Sequence, residues 1–196
     1  LQLSFSFNVD DKVYDGTTVA TGLIGTLTGF IATDNVDWDF STVAFDTADA
    51  GPVKLVTLTG LILISPDLTI NPDAGNYSLA SSTVTSTAAI AQKDVTAGFT
   101  VNNKVYDGAT AATGVIVTLT GVIAPDNVNL TGGIATFDTK DVGTGKTVTL
   151  TGGTLTGTEA GNYSLLSVAT TTADITAKAI TGNFTAANKV YDGTTA

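Results

Sequence analysis

The sequence predicts an all-β protein made of tandem β-sandwich modules, and three observations predict it. Apolar residues alternate with threonine at period two rather than at helical spacing. Turn dipeptides built on Gly, Asp and Pro punctuate these runs. The chain also repeats itself: Lys12-Val13-Tyr14-Asp15-Gly16 recurs as Lys104 to Gly108 and again as Lys189 to Gly193, at spacings of 92 and 85.

The first repeat contains about seven strand-like runs. They are Ser4 to Val9, Val13 with Tyr14, Ala20 to Thr28, Val36 to Phe45, Val53 to Thr59, a variable segment over Leu61 to Ile70, and Tyr77 to Ile90. Asp15-Gly16 closes the second run, since glycine takes a positive φ at little steric cost. Leu27 sits between Thr26 and Thr28 before Gly29 ends the third run, and Val56 and Leu58 alternate with Thr57 and Thr59 before Gly60. The second repeat copies both patterns at Leu119 and at Val148 with Leu150. Pro-Asp opens turns at Pro66, Pro72 and Pro125. With 38 threonines, these runs read as half-buried antiparallel strands carrying a hydroxyl toward water. Seven short strands per repeat fit an immunoglobulin-like sandwich. The coils of a β-helix, the rival repeat architecture, are roughly 20 to 30 residues long.

A second marker, Ala74-Gly75-Asn76-Tyr77-Ser78-Leu79, returns as Ala160 to Leu165 at a spacing of 86, so the first copy carries a six-residue insertion between Gly60 and Ala74. Val9 to Gly60 laid over Val101 to Gly152 gives 31 identities in 52 positions, with mismatches clustered between Asp37 and Ala44. The expected organisation is module one at 1–92, module two at 93–178, and the first strand of an incomplete third module at 179–196, an excerpt of a longer array. A domain of this size buries only about 60–65% of its unfolded surface, so contacts with neighbouring modules are expected to add stability.

Composition excludes several kinds of chemistry. The 196 residues include no His, Cys, Met or Arg and carry a net charge of −10. That rules out a disulfide framework, a thiolate metal site, a histidine relay, a cysteine nucleophile and an arginine phosphate clamp. A pI near 4.1 opposes nucleic-acid binding. The acidic surface is also expected to keep modules apart. The longest apolar stretches, such as Leu61 to Ile64, are too short to span a bilayer.

At these aligned residues the chain resembles the bacterial YDG-domain repeats and, more loosely, the MBG repeats of large secreted surface proteins. The matching signatures are Lys-Val-Tyr-Asp-Gly at 12, 104 and 189, Asp34-Asn35-Val36 with Asp126-Asn127-Val128, Phe45-Asp46 to Gly60 with Phe137-Asp138 to Gly152, and Gly-Asn-Tyr-Ser-Leu at 75 and 161. The resemblance implies an extracellular bacterial protein of adhesin type, often filamentous-haemagglutinin-like, in which such modules are tandem spacers. It supplies no catalytic residue.

Several residues invite a sharper reading. Tyr14-Asp15-Gly16 is expected to be a strand-to-turn corner whose ring packs, whose hydroxyl finds a backbone acceptor and whose Asp caps the turn. Asn76 is expected to hold a turn before the last strand. Asp46 with Asp49, and Asp138 with Asp141, recur in a glycine-containing loop and are calcium candidates, most naturally between modules. The cofactor expectation is otherwise none. Trp38, the only tryptophan, offers a face for a glycan, with Asp37 and Asp39 as acceptors, although its counterpart Leu130 favours an apolar slot. Lys12, Lys104 and Lys189 read as solvated lysines beside an acidic turn; an amide cross-link to Asn76 or Asn162 is the bolder alternative. Asn-x-Ser/Thr at Asn76, Asn129, Asn162 and Asn183 carries no weight in so threonine-rich a chain.

Together these residues predict a non-enzymatic stalk or fibre of a secreted bacterial surface protein. Its partners would be neighbouring modules of the same or identical chains, with a host or cell-surface glycan as a further partner. A filament joined by strand addition from the third copy is the nearest rival, and a glycan-binding module centred on Trp38 is the next.

Overall fold

The computed structural model describes residues 1–67 and 72–195. Strands β1 (Gln2–Asn8), β2 (Lys12–Val13), β3 (Ile24–Thr28), β4 (Asp37–Asp39), β5 (Thr42–Phe45), β6 (Gly51–Thr59), β7 (Ile62–Ile64), β8 (Ser78–Leu79) and β9 (Thr83–Ala91) make the first module. Strands β10 (Lys93–Thr100), β11 (Lys104–Val105), β12 (Ile116–Thr120), β13 (Asn129–Thr131), β14 (Ile134–Phe137), β15 (Gly143–Thr151), β16 (Thr154–Thr156), β17 (Tyr163–Val168) and β18 (Thr171–Thr176) make the second. Each module has a three-stranded sheet (β3-β1-β8; β12-β10-β17), a four-stranded sheet (β2-β9-β6-β5; β11-β18-β15-β14) and a two-stranded ribbon (β4-β7; β13-β16). No helix among the described residues is long and apolar enough to cross a membrane.

The all-β tandem architecture is as the sequence predicts, with nine strands rather than seven among the described residues of each module. Two predicted runs split in the first module. Val36 to Phe45 breaks at Phe40-Ser41, so that β4 pairs with β7 while β5 pairs with β6. Tyr77 to Ile90 breaks at Ala80 to Ser82, where Ser81 Oγ accepts the Thr83 N–H at 3.0 Å. Within the variable run Leu61 to Ile70, β7 covers Ile62–Ile64, and residues 68–70 lie outside those described. The threonine alternation holds: Val56 and Leu58 of β6 and Val148 and Leu150 of β15 are buried among outward-facing threonines.

Pairing is not uniformly antiparallel. β1 runs parallel to β8 and β2 parallel to β9, and the second module repeats this as β10 with β17 and β11 with β18. The opening and closing strands therefore point the same way, and the chain enters at one pole and leaves at the other. Between β9 and β10 lies a single residue, Gln92, so consecutive modules follow one another in series. The third copy forms no strand over 177–195. Its counterpart in module two, β10, is held by β12 and β17.

Phe7, Phe45, Val56, Leu58, Ala88 and Ile90 form the centre of the first module, and Phe99, Phe137, Val148, Leu150, Ala173 and Ile175 that of the second. One slot is filled differently in the two copies. In module one Trp38 packs edge-on against Phe5, with ring centroids 4.8 Å apart and planes at 63°, and tilts against Phe40 at 6.0 Å. A Cβ on Gly25 would lie 2.3 Å from the Trp38 ring, so glycine is what makes room for the indole. In module two the corresponding residues are Ala97, Val117 and Leu130, and beside Val117 and Leu130 there is an open groove of 520 Å³. The ring that a sugar would stack on is thus engaged by Phe5 and Phe40.

Gly25→Val alone should destabilise the protein by about 1–3 kcal/mol through overpacking. Adding Trp38→Leu should recover most of that loss in urea denaturation. A neutral Gly25→Val, or no recovery in the double variant, would show that the two copies do not share this slot.

Candidate functional site

The Tyr-Asp-Gly turn stands where one module ends and the next begins. The Tyr14 N–H donates to Ala91 O at 2.8 Å, which ties the turn to the last strand of its own module. Its side chain then crosses the joint. The Tyr14 hydroxyl donates to Asp126 Oδ2 at 2.9 Å, and its ring meets the Tyr163 ring edge-on at 5.4 Å. Tyr163 Oη donates to the same carboxylate oxygen at 2.5 Å and accepts the Ile123 N–H at 3.0 Å. A charged acceptor strengthens both hydroxyl bonds. Tyr14 is 5% exposed and Tyr163 3%. The sequence predicts a backbone acceptor for the Tyr14 hydroxyl; the structure gives it a carboxylate of the following module, a partner 112 positions away that no local pattern could reveal.

Around this centre lie further contacts across the joint. Asn162, the one buried polar residue described, accepts the Ala50 N–H at 2.8 Å and donates to Asp49 Oδ1 at 3.4 Å. Gln92 Nε2 donates to Gly161 O at 2.9 Å. Val95 and Tyr163 of module two belong to one continuous apolar cluster with Phe7, Tyr14 and Ile90 of module one. Despite the acidic surface, neighbouring modules are in direct contact, because the touching faces are chiefly aromatic, aliphatic and amide. A groove of 460 Å³ beside the joint is lined by Ala50, Pro52, Ile90, Gln92 and Gly161 with no charged side chain.

Asp15 and Gly16 have separate tasks. Lys12 Nζ is 2.7 Å from Asp15 Oδ1, donates to the carbonyls of Thr17 and Val19, and lies 5.6 Å from the Phe45 ring centroid. Lys104 repeats this with Asp107, Ala109, Ala111 and Phe137. These lysines are not solvated: their side chains are 12% and 11% exposed, against 42% for Lys189 in the third copy. The third copy still makes the Lys189–Asp192 pair at 2.8 Å, so the turn forms locally and the module buries it. Gly16, at φ 77°, supplies the left-handed backbone of the turn, and a Cβ there would lie 3.9 Å from Ile123 of the next module.

The remaining predicted sites separate. Asp46 and Asp138 pair with Lys54 and Lys146 at 3.5 and 3.0 Å, each beside a bulge in the long hairpin strand. Asp49 serves Asn162 across the joint, and Asp141 is exposed. Among the described residues no three carboxylates gather. The proposed Lys–Asn cross-link has no geometric basis: Lys12 follows the C-terminal end of β1, whereas Asn76 lies by Leu1 at its other end, and Asn162 is engaged at the joint.

Electrostatics follow from this geometry. Burial first, then the Asp126 carboxylate, pushes the Tyr14 phenol up to about 12 from an ordinary 10.0, and the same two causes raise Tyr163. Burial alone would raise Asp15, but the Lys12 ammonium and the Thr17 donors bring it below the usual carboxylate range. The Lys104 ammonium lowers Asp107, and Lys189 lowers Asp192.

These features define a class of protein: all-β modules joined in series through a one-residue link and a buried tyrosine–carboxylate contact. The YDG domain family matches residues 2–86 and again 91–173, and the chain belongs to that family. No curated protein and no solved structure matches the chain significantly.

Tyr14→Phe, which removes a bond to a charged acceptor, should cost about 1.5 kcal/mol. Tyr106→Phe, the same change at a turn with no module docked on it, should cost measurably less, and equal losses in denaturant titrations would deny Tyr14 its role at the joint. Because Tyr14 keeps its proton longer in the folded state, its contribution is fully present below pH 10 and is lost as pH rises through about 12, and Tyr163 acts in the same direction. Tyrosinate absorbance should show a fraction of the phenols ionising well above the ordinary 10.0, and that fraction should shrink in Tyr14→Phe; a titration unchanged by the substitution would contradict the buried arrangement.

Proposed function

We propose that the chain is part of the repeat region, a stalk or fibre, of a secreted bacterial surface protein of adhesin type, outside the cell and without catalytic activity. The observation that carries this reading is the joint between modules. A single linking residue, a shared apolar cluster and the Tyr14–Asp126 bond hold two modules in one orientation, and the parallel first and last strands direct each module along the array. Force applied to the ends loads those parallel pairings in shear, so that their hydrogen bonds resist together. The composition supports the absence of catalysis, since neither histidine nor cysteine is available as base or nucleophile.

Small-angle scattering on the chain, and on forms lengthened by repeating residues 93–177, tests this. A constant gain in length per module with an unchanged cross-section is expected. A growing cross-section, or lengths that fall behind module number as in a jointed chain, would overturn it.

One observation favours a second reading, a filament assembled by strand addition. Ile180 and Phe184 of the third copy are more than nine-tenths exposed, while their counterparts lie in β10, the central strand of its sheet. Removing residues 179–196 should then abolish concentration-dependent assembly, and assembly unaffected by the deletion would reject this reading.

A further inference from the structure

The joint is built from two half-sites, and each module carries both. At its leading pole a module offers an acceptor half, which in module two is Ile123, Asp126, Asn162 and Tyr163. At its trailing pole it offers a donor half, which in module one is Tyr14, Gly16, Asp49 and Ala50. The matching acceptor residues of module one are Ile31, Asp34, Asn76 and Tyr77, identical in type. The matching donor residues of module two are Tyr106, Gly108, Asp141 and Val142, identical except for the last.

The acceptor half of module one has the same internal geometry. The Tyr77 hydroxyl donates to Asp34 Oδ2 at 2.6 Å and accepts the Ile31 N–H at 3.1 Å, as Tyr163 does with Asp126 and Ile123. Even the supporting cap is reproduced: Asp73 accepts the Asn35 N–H at 3.1 Å where Glu159 accepts the Asn127 N–H at 2.8 Å. Exposure is what differs between the copies. Ile31 is 59% exposed while Ile123 packs into the joint cluster, and Asn76 is open while Asn162 is buried. Val142 at the trailing pole of module two is 54% exposed.

We infer that the leading face of module one, formed by Ile31, Asp34, Asn76 and Tyr77, is a socket for the Tyr-Asp-Gly pole of another module of this kind, a pole that a second copy of this chain offers at Tyr106. The occupant follows from the chain's own joint, where the same residues are filled by that pole. Tyr106 hydroxyl would donate to Asp34, and the Val142 N–H would reach Asn76. A socket with this internal geometry loses little conformational freedom on binding. Because the internal joint also benefits from the effective concentration set by its one-residue link, contact between separate copies is the weaker of the two. The inference rests on the serial joint of the proposed stalk and extends it to contact between chains.

The absence of cysteine in the sequence allows a clean test. Asn76→Cys with Val142→Cys places one thiol in the socket of module one and one on the trailing pole of module two, and mild oxidation of the chain should give a disulfide ladder of head-to-tail oligomers on a non-reducing gel. A chain ending at Ala177, which keeps every described strand, should ladder at least as well; a ladder seen only with residues 178–196 present would assign assembly to strand addition and overturn the socket. Asp34→Asn with Tyr77→Phe should weaken the ladder at least fivefold, and an unchanged ladder would reduce the contact to random collision. Ala50→Cys with Asn162→Cys reports separately on the internal joint. If that pair closes within one chain and the outer pair does not cross-link, the socket inference fails while the stalk stands; if neither closes, the joint itself is wrong.

Discussion

Tyr14, Asp126 and Tyr163 form a contact in which two buried phenols share one part-buried carboxylate, and the arrangement of the two modules depends on it. A carboxylate held among aromatic rings is stable only with its oxygens hydrogen-bonded, and Asp126 obtains one donor from its own module and one from the module before. Without the preceding module the carboxylate would keep only its own tyrosine, as Asp34 keeps Tyr77. The contact therefore orients as well as joins, since a carboxylate oxygen accepts from two hydroxyls only within a narrow range of geometry. The apolar cluster around it supplies area without direction, and the amide of Asn162 fixes rotation by holding a backbone N–H.

The Tyr-Asp-Gly signature is accounted for letter by letter. Tyr14 is the connection to the next module. Asp15 is not a cap alone but the counter-ion of Lys12, whose ammonium closes the loop by reaching two carbonyls while it lies over the Phe45 ring. Gly16 is required because the turn needs a positive φ and because the next module approaches it. The lysine four places before the glycine belongs to the same device, which explains why the repeated unit begins at Lys12, Lys104 and Lys189.

The divergence between copies has an equally local explanation. The mismatches between Asp37 and Ala44 fall on the ribbon strand β4, the corner after it and most of β5, none of which makes the hydrogen bonds across the joint. There Trp38 over Gly25 and Phe5 in one copy is exchanged for Leu130 over Val117 and Ala97 in the other, so bulk is moved between neighbouring positions. The residues whose side chains make the joint, Tyr14, Asp126, Asn162 and Tyr163, keep their type in the other copy, whereas Ala50, which offers only its N–H, is exchanged for Val142.

The sequence by itself determined the strand class, the module period, the turn chemistry and the positions of the repeated signatures, because alternation, glycine turns and repetition are local and survive reading in one dimension. It also placed Trp38 in an apolar slot, since its counterpart is Leu130. Only the tertiary structure decided that the pairings are mixed, that two runs break into four strands, and that Lys12 is a buried staple. It alone brought Tyr14 to Asp126 and Asn162 to Ala50. Each of those pairs is separated by 112 positions and joins different modules. A contact between modules leaves no periodicity in either one. Its only trace in the sequence is that the same residues recur in every copy, which a shared fold would produce equally well.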